Sequence, residues 1–191
     1  MAKTRWKGGA LLSPVPAVLI SCGSMEKSNL ITVAWTGIVC TQPPKLYISV
    51  RPERYSYKLI EESKEFCVNL PTAEMARVVD WCGVRSGKDF DKFEYTKLTK
   101  AESFSVSCPS VAECPLTLEC KVEQIIKLGS HDMFIADIVS VGAEESIIDE
   151  KGRLMLEKAN LFAYAHGDYF ALGKKIGDFG FSVRKKKRGK R

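Results

Sequence analysis

The apolar positions fall in short runs broken by polar turns, and along most of the chain their period is closer to two than to 3.6. Residues 17–22 (A-V-L-I-S-C) and 30–35 (L-I-T-V-A-W) are β-rich runs that predict two strands, separated by a polar turn over 23–29. Residues 45–50 (K-L-Y-I-S-V) predict a third strand, approached through Pro43 and Pro44, which lack the N–H needed to continue a ladder. A short helix is predicted over 55–63 with Leu59 and Ile60 on its inner face, then a strand over 66–70, stopped by Pro71. Thr72 is placed to cap a helix over 73–82, with Glu74 in the first turn and Gly83 at the stop. Met75, Val78, Val79 and Cys82 keep the helical period, so one face of this helix packs, and Trp81 reads as core. After a polar, irregular stretch at 86–93, two long β-branched runs, 116–128 and 133–141, flank Gly129-Ser130-His131-Asp132 as a hairpin.

Many strands, two or three short helices and no dividing linker predict a mainly β fold: a barrel with helical insertions, one domain over 1–183. With 45% hydrophobic residues, the 191-residue chain can bury a real core. The net charge of +6 belongs to its end. Seven of the last eight residues are Lys or Arg, and without them 22 basic groups face 23 acidic ones. Residues 184–191 therefore read as a disordered basic tail on a nearly neutral body. No stretch approaches the roughly 18–20 apolar residues of a membrane helix. Lys3, Arg5 and Lys7 before an apolar run faintly imitate a leader, but S-P-V-P at 13–16 interrupts it, and a cytoplasmic chain is expected. The seven cysteines are odd in number, have no C-x-x-C spacing and sit mostly in apolar runs, so buried free thiols in a reducing compartment are expected.

No G-x-G-x-x-G, Walker loop, H-E-x-x-H or G-x-S-x-G is present. Two histidines make an imidazole-built metal site or a Ser-His-Asp triad unsupported, and no metal is expected. Two polar stretches at strand ends remain. N-L-I-T-V-A-W-T-G at 29–37 sets small and hydroxyl residues beside an aromatic, as a planar heteroaromatic ligand lying on a strand requires. The same residues would also serve as a plain barrel strand. V-R-P-E-R-Y-S-Y-K at 50–58 brings Arg51, Arg54 and Ser56 to a helix start, the parts of a phosphate site or of a merely solvated helix end.

T-V-A-W-T-G-I-V-C-T-Q-P-P-K-L-Y-I-S-V-R-P-E-R-Y-S-Y-K-L-I, followed by F-C-V-N-L-P, resembles the flavin-reductase-like family of FMN-binding split barrels, and within it the flavoredoxin group. S-G-K-D-F-D-K-F at 86–93 is similar to that group's loop after the second helix, and A-Y-A-H-G-D-Y-F-A-L-G-K-K-I-G-D-F-G-F-S-V at 163–183 to its C-terminal segment. The resemblance runs from about Pro14 to Val183. It implies a six-stranded Greek-key split β-barrel, non-covalently bound FMN and a homodimer. By the same resemblance, Asn29, Thr32, Ala34, Trp35 and Thr36 line the isoalloxazine and ribityl chain. Arg51, Tyr55 and Ser56 hold the phosphate region, while Ser86, Gly87 and Lys88 close over the flavin near the dimer interface. Members that use NAD(P)H often carry Gly-Asp-His before a late strand, whereas this chain has Gly129-Ser130-His131-Asp132, which keeps the His and breaks the triplet. His131 is the one candidate catalytic residue; His166 reads as a strand histidine.

Three functions follow. The first is a flavoprotein of the flavoredoxin type that carries electrons between protein partners through bound FMN. The second is an NAD(P)H:flavin oxidoreductase, with the nicotinamide nucleotide as transient reductant and hydride accepted at flavin N5. The third, suggested only by the tail, is a nucleic-acid-binding barrel. The tail carries no aromatic residue for base stacking, so nucleic acid is the weakest partner.

Overall fold

The computed structural model describes residues 1–184. The expected disordered tail lies, from residue 185 on, outside the described residues. The strands and helices are β1 (Val15–Pro16), β2 (Val18–Gly23), β3 (Ser28–Val33), β4 (Thr36–Thr41), β5 (Pro44–Val50), α1 (Tyr55–Ser63) and β6 (Glu65–Leu70). They continue with α2 (Ala76–Val84), α3 (Lys92–Thr96), β7 (Lys100–Ala101), β8 (Ser110–Val111), β9 (Leu116–Lys127) and β10 (Asp132–Ala143), and end with β11 (Phe162–Ala165) and β12 (Asp168–Ala171).

Seven strands form one antiparallel sheet in the order β3-β2-β6-β9-β10-β5-β4. Its two edge strands follow each other in sequence, so the sheet curls until its edges face, joined by Ala34 and Trp35. At that corner the Ser49 N–H donates to the Trp35 carbonyl at 2.8 Å. Irregularities in register on β10, between Ile135 and Ala136 and again between Ile138 and Ser140, let the two twelve-residue strands bend.

The period of two sorts side chains between the two faces of the wall. Val18, Ile20 and Cys22 of β2 join Ile31, Ile48, Phe66, Cys120 and Phe134 in the inner core, into which α1 inserts Tyr57 and Ile60. Ala17, Leu19 and Leu30 point outward and are covered by Val79 and Cys82 of α2, Phe93 of α3, Val111 of β8 and Phe162 of β11. Burial of each such large side chain contributes about 1.5–3 kcal/mol.

Residues 99–115 cross the outer face of β6 and β9 as a strap. Asn69, fully buried, donates to Ser21 Oγ at 2.9 Å and accepts from the Val111 N–H and the Thr117 hydroxyl, both at 2.9 Å. The Glu119 carboxylate, equally buried, accepts the Phe104 and Ser105 amides at 2.8 and 2.6 Å. Beyond its own β7–β8 pairing the strap has no ladder to the wall, and polar side chains on the outer face hold it instead.

The family architecture expected from the sequence is present, with one strand more than six. The strand that the sequence pattern does not mark is β4, where Ile38 and Val39 are exposed and no alternation is present. Pro44 begins β5 rather than preceding it, because its position opposite Thr41 ends the ladder. The helix expected over 73–82 is a turn of 3-10 helix at Ala73–Met75 running into α2. The Thr72 side chain makes no capping bond. Gly83 does not stop α2 but lies within it, where the missing side chain lets Thr32 pack close; an added Cβ would sit 3.2 Å from Thr32 Cβ. Six cysteines are buried and Cys40 is half-buried; all seven are free thiols.

Candidate functional site

Where the sheet edges face each other, two hollows of about 290 and 250 Å³ open side by side. Ile31 of β3 and Arg54, the residue before α1, line both. They are two ends of one elongated site.

The smaller hollow, lined mostly by polar and charged residues, lies at the start of α1. Asn29 Nδ2 donates to the Ser56 hydroxyl at 2.7 Å, and both residues are almost fully buried. Helix α1 has no side-chain cap and no acidic residue in its first turn, which leaves its N–H groups and positive dipole end available, while Glu53, just before the helix, also lines the hollow and is paired with Arg51. Gly87 completes the wall at very close range, since a Cβ there would lie 2.3 Å from Asn29 Oδ1 and 2.6 Å from Tyr55 Cδ1. Arg85 and Ser86 flank it.

Lys92 also lines this hollow and is 2% exposed. Asp91 accepts from the Glu94 N–H and caps α3, which sets Lys92 at the first helical position beside buried Phe93. Its ammonium donates to the Cys82 carbonyl at 2.6 Å, one bond for a group with three donors. Burial, reinforced by nearby Arg54, pulls its pKa from 10.5 down to about 8, against the opposing pull of the Cys82 and Cys22 thiols. A buried cation short of acceptors at a hollow favours an anion there.

The larger hollow is flatter and mixed. Trp35, Ala34, Val33 and Thr32 form one side, Ser49, Val50 and Arg51 another, and Tyr164 and Tyr169 of the β11–β12 hairpin a third. The Thr32 hydroxyl is committed to the Val79 carbonyl. His131 reaches the same hollow from the β9–β10 turn, its Nδ1 at 3.0 Å from the Ser130 hydroxyl. Directly behind it, buried Asp132 accepts the Tyr57 hydroxyl at 2.7 Å. That bond and burial push the Tyr57 phenol up to about 12. It ties α1, which shapes the polar hollow, to the turn that carries His131.

Of the residues singled out in the sequence, Thr32, Ala34, Trp35, Arg51 and His131 meet in the larger hollow, and Asn29, Tyr55, Ser56, Ser86 and Gly87 in the smaller. Arg51 stands in the larger hollow rather than with Ser56, and its Nε pairs with Glu53 at 2.6 Å. Thr36 lines neither hollow; its hydroxyl donates to the Tyr47 carbonyl at 2.6 Å. Lys88 is exposed outside them, next to Lys27 and Tyr55. His166 is exposed at the turn between β11 and β12, with a positive φ of 49°. Sequence reasoning passed over Lys92, Arg85, Tyr164 and Tyr169. The signal for Lys92 was its place between Phe90 and Phe93, apolar neighbours that a solvated lysine does not need. Among the described residues no His/Cys/Asp/Glu group has metal-holding geometry, and no helix is long and apolar enough to cross a membrane.

An elongated site on a curled antiparallel barrel, with a basic polar end and an aromatic flat end, defines a class. Residues 11–173 match the flavin reductase like domain, and the chain belongs to that family. Flavoredoxin of Desulfovibrio vulgaris (Miyazaki F) superposes with a TM-score of 0.89 at 28% identity, over 96% of this chain and 100% of that one. Flavoredoxin from Methanosarcina acetivorans follows at 0.86 and 25%, over 96% and 100%. An Archaeoglobus fulgidus protein is 35% identical over 140 residues, 73% of this chain and 78% of the relative.

Proposed function

We propose that the confluent hollows hold one FMN non-covalently and that the protein is an electron-carrying flavoprotein of the flavoredoxin type. The observation that carries this reading is the pairing, in one site, of a buried ammonium at a helix start with an aromatic-walled slot. Lys92, Arg54, Ser56 and the α1 amides would hold the phosphate. Trp35, Ala34, Tyr164 and Tyr169 would bound the isoalloxazine. Asn29, Thr32, Tyr55, Ser86 and Gly87 lie along the ribityl path between them. FMN would supply the one- and two-electron chemistry; the chain sets its orientation and its access to water and partners. Thr36 then acts by fixing β4 to β5, and Lys88 by charge near the opening.

A second reading, an NAD(P)H:flavin oxidoreductase, is favoured by one observation: His131 lines the ring-side hollow together with Arg51 and Arg54. Ser130 in place of the family's Asp weighs against a dedicated nicotinamide site. The homodimer is part of the proposal, supported by the apolar side chains exposed on β4 and at Phe170, Leu172, Ile176 and Phe179. The cytoplasm is the proposed compartment, since seven free thiols suit a reducing one.

The protein purified without added cofactor should show flavin bands near roughly 375 and 450 nm, intrinsic to the cofactor. Denaturation should release FMN and neither FAD nor riboflavin, and light scattering should give the mass of two chains. A colourless protein that binds no added FMN refutes the reading. Anaerobic stopped-flow reduction by NADH and NADPH then separates the two versions. Slow, unsaturable bleaching, indifferent to His131→Ala, is expected of a carrier; fast, saturable bleaching abolished by that change makes the protein a reductase.

A further inference from the structure

Cys67 of β6 and Cys108 of the strap lie away from both hollows, on the outer face of the wall. Both are fully buried, and their sulfurs are 3.5 Å apart. The pair is built in rather than incidental. Ser103 Oγ lies 3.4 Å from Cys67 Sγ and donates to the Cys108 carbonyl at 2.7 Å, fixing the strap's end over the thiol of β6. The Glu119 and Glu65 carboxylates hold the amides of Phe104, Ser105 and Ser107 on either side.

We infer that Cys67 and Cys108 form a redox-active dithiol that hydrogen peroxide closes to a disulfide, locking the strap to β6. The arrangement separates an attacking sulfur from a resolving one. Burial pushes the thiols of Cys22, Cys82, Cys114 and Cys120 up. The S–H of Cys108 aimed at Cys67 instead pulls Cys67 down, and Cys108 correspondingly up, although the nearby Glu119 opposes the thiolate of Cys67. The Cys67 thiolate therefore attacks one peroxide oxygen, giving a sulfenic acid and, with the proton, water. The Cys108 sulfur then attacks the sulfenic sulfur and a second water leaves. Two thiols lose two electrons and two protons in all, and one peroxide is reduced to two waters. Access runs through the middle of the strap, where Phe104, Ser105 and Ser107 are exposed and are held to the wall by hydrogen bonds to Glu119 and Glu65.

The test uses the full-length protein as purified, treated with one equivalent of hydrogen peroxide, then alkylated under denaturing conditions and digested without reductant. The expected result is one cross-linked species joining the Cys67 and Cys108 peptides with the loss of two hydrogen atoms. It should form before the other five cysteines change and vanish on reduction with dithiothreitol. Proteolytic cleavage inside the strap should slow in the oxidised protein. In Cys108→Ser the cross-link is lost and dimedone labels Cys67 instead. The inference is overturned if both thiols remain alkylatable while other cysteines oxidise, or if the cross-link joins a different pair. The wild-type measurement decides even if the variant fails to fold.

Discussion

Replacing Lys92 by Met separates two effects that carry opposite signs. A fall in pKa from 10.5 to about 8 means that the unliganded fold holds this charge at a disadvantage of about 3 kcal/mol, at about 1.4 kcal/mol for each tenfold change. A base whose folded pKa is depressed binds fewer protons folded than unfolded between about pH 8 and 10.5, so flavin-free stability should rise across that window. Below pH 8 the disadvantage is present in full. Lys92→Met keeps the aliphatic volume and removes the charge, so the flavin-free protein at pH 7 should gain about 1–3 kcal/mol, and the gain should shrink toward pH 10. FMN should behave inversely. The charge-assisted bond lost with the ammonium weakens FMN by about 1.5–3 kcal/mol, while riboflavin, lacking the phosphate, should bind as before. In the wild type, FMN affinity should fall from pH 7 to 9 as the free lysine loses its proton, the phosphate being already dianionic above about pH 6. Flavin-fluorescence titrations with both ligands at pH 7 and 9, and urea melts of the flavin-free protein, give every quantity. Equal losses for FMN and riboflavin, or an FMN affinity flat between pH 7 and 9, would refute the assignment.

Arg54→Ala should weaken FMN by about 1.5–3 kcal/mol and spare riboflavin, whereas Arg51→Ala, on the ring side and already paired with Glu53, should change both ligands by similar small amounts; isothermal titration of the two variants checks the order. Tyr57→Phe leaves the Asp132 carboxylate buried without its partner and should lose about 1–3 kcal/mol of stability, read from urea melts. Truncation after Val183 should leave FMN content and dimer mass unchanged, because like charges in that tail oppose packing; flavin lost in gel filtration of the truncated chain would place the tail in the site.

The sequence made the fold legible where one local rule acts alone. Helix α1 runs over the expected residues because Pro52 precedes it and Lys64 ends it in the left-handed region, with its N–H closing on the Ile60 carbonyl. Helix α2 was misjudged at both ends because tertiary packing decided them: Gly83 stays helical to make room for Thr32, and Thr72 begins only a 3-10 turn. Ten of the twelve residues that the family motifs marked line the two hollows. The motifs could not say which of two arginines, three positions apart on a turn, faces which end. Nor could they show that the Thr36 hydroxyl is used by a carbonyl across the hairpin. Lys92 escaped notice because the two aspartates of D-F-D-K-F look solvated, and the fold buries it against α2, where its ammonium donates to the Cys82 carbonyl.

The seam between β3 and β4 lies between the two edges of the sheet, which share no ladder. Across it lie a two-residue corner, the bond from Ser49 to the Trp35 carbonyl and the packing of Ile31 and Val33 against Ile48 and Val50. Amide protons along these edges should therefore trade with solvent deuterons sooner than those of β6 and β9 at the centre of the same sheet. A ligand seated across the gap does the work of a missing strand, slowing that trade in proportion to its occupancy. Deuterium uptake along the rim would then report cofactor loading from the backbone itself, with no side chain altered and no chromophore required.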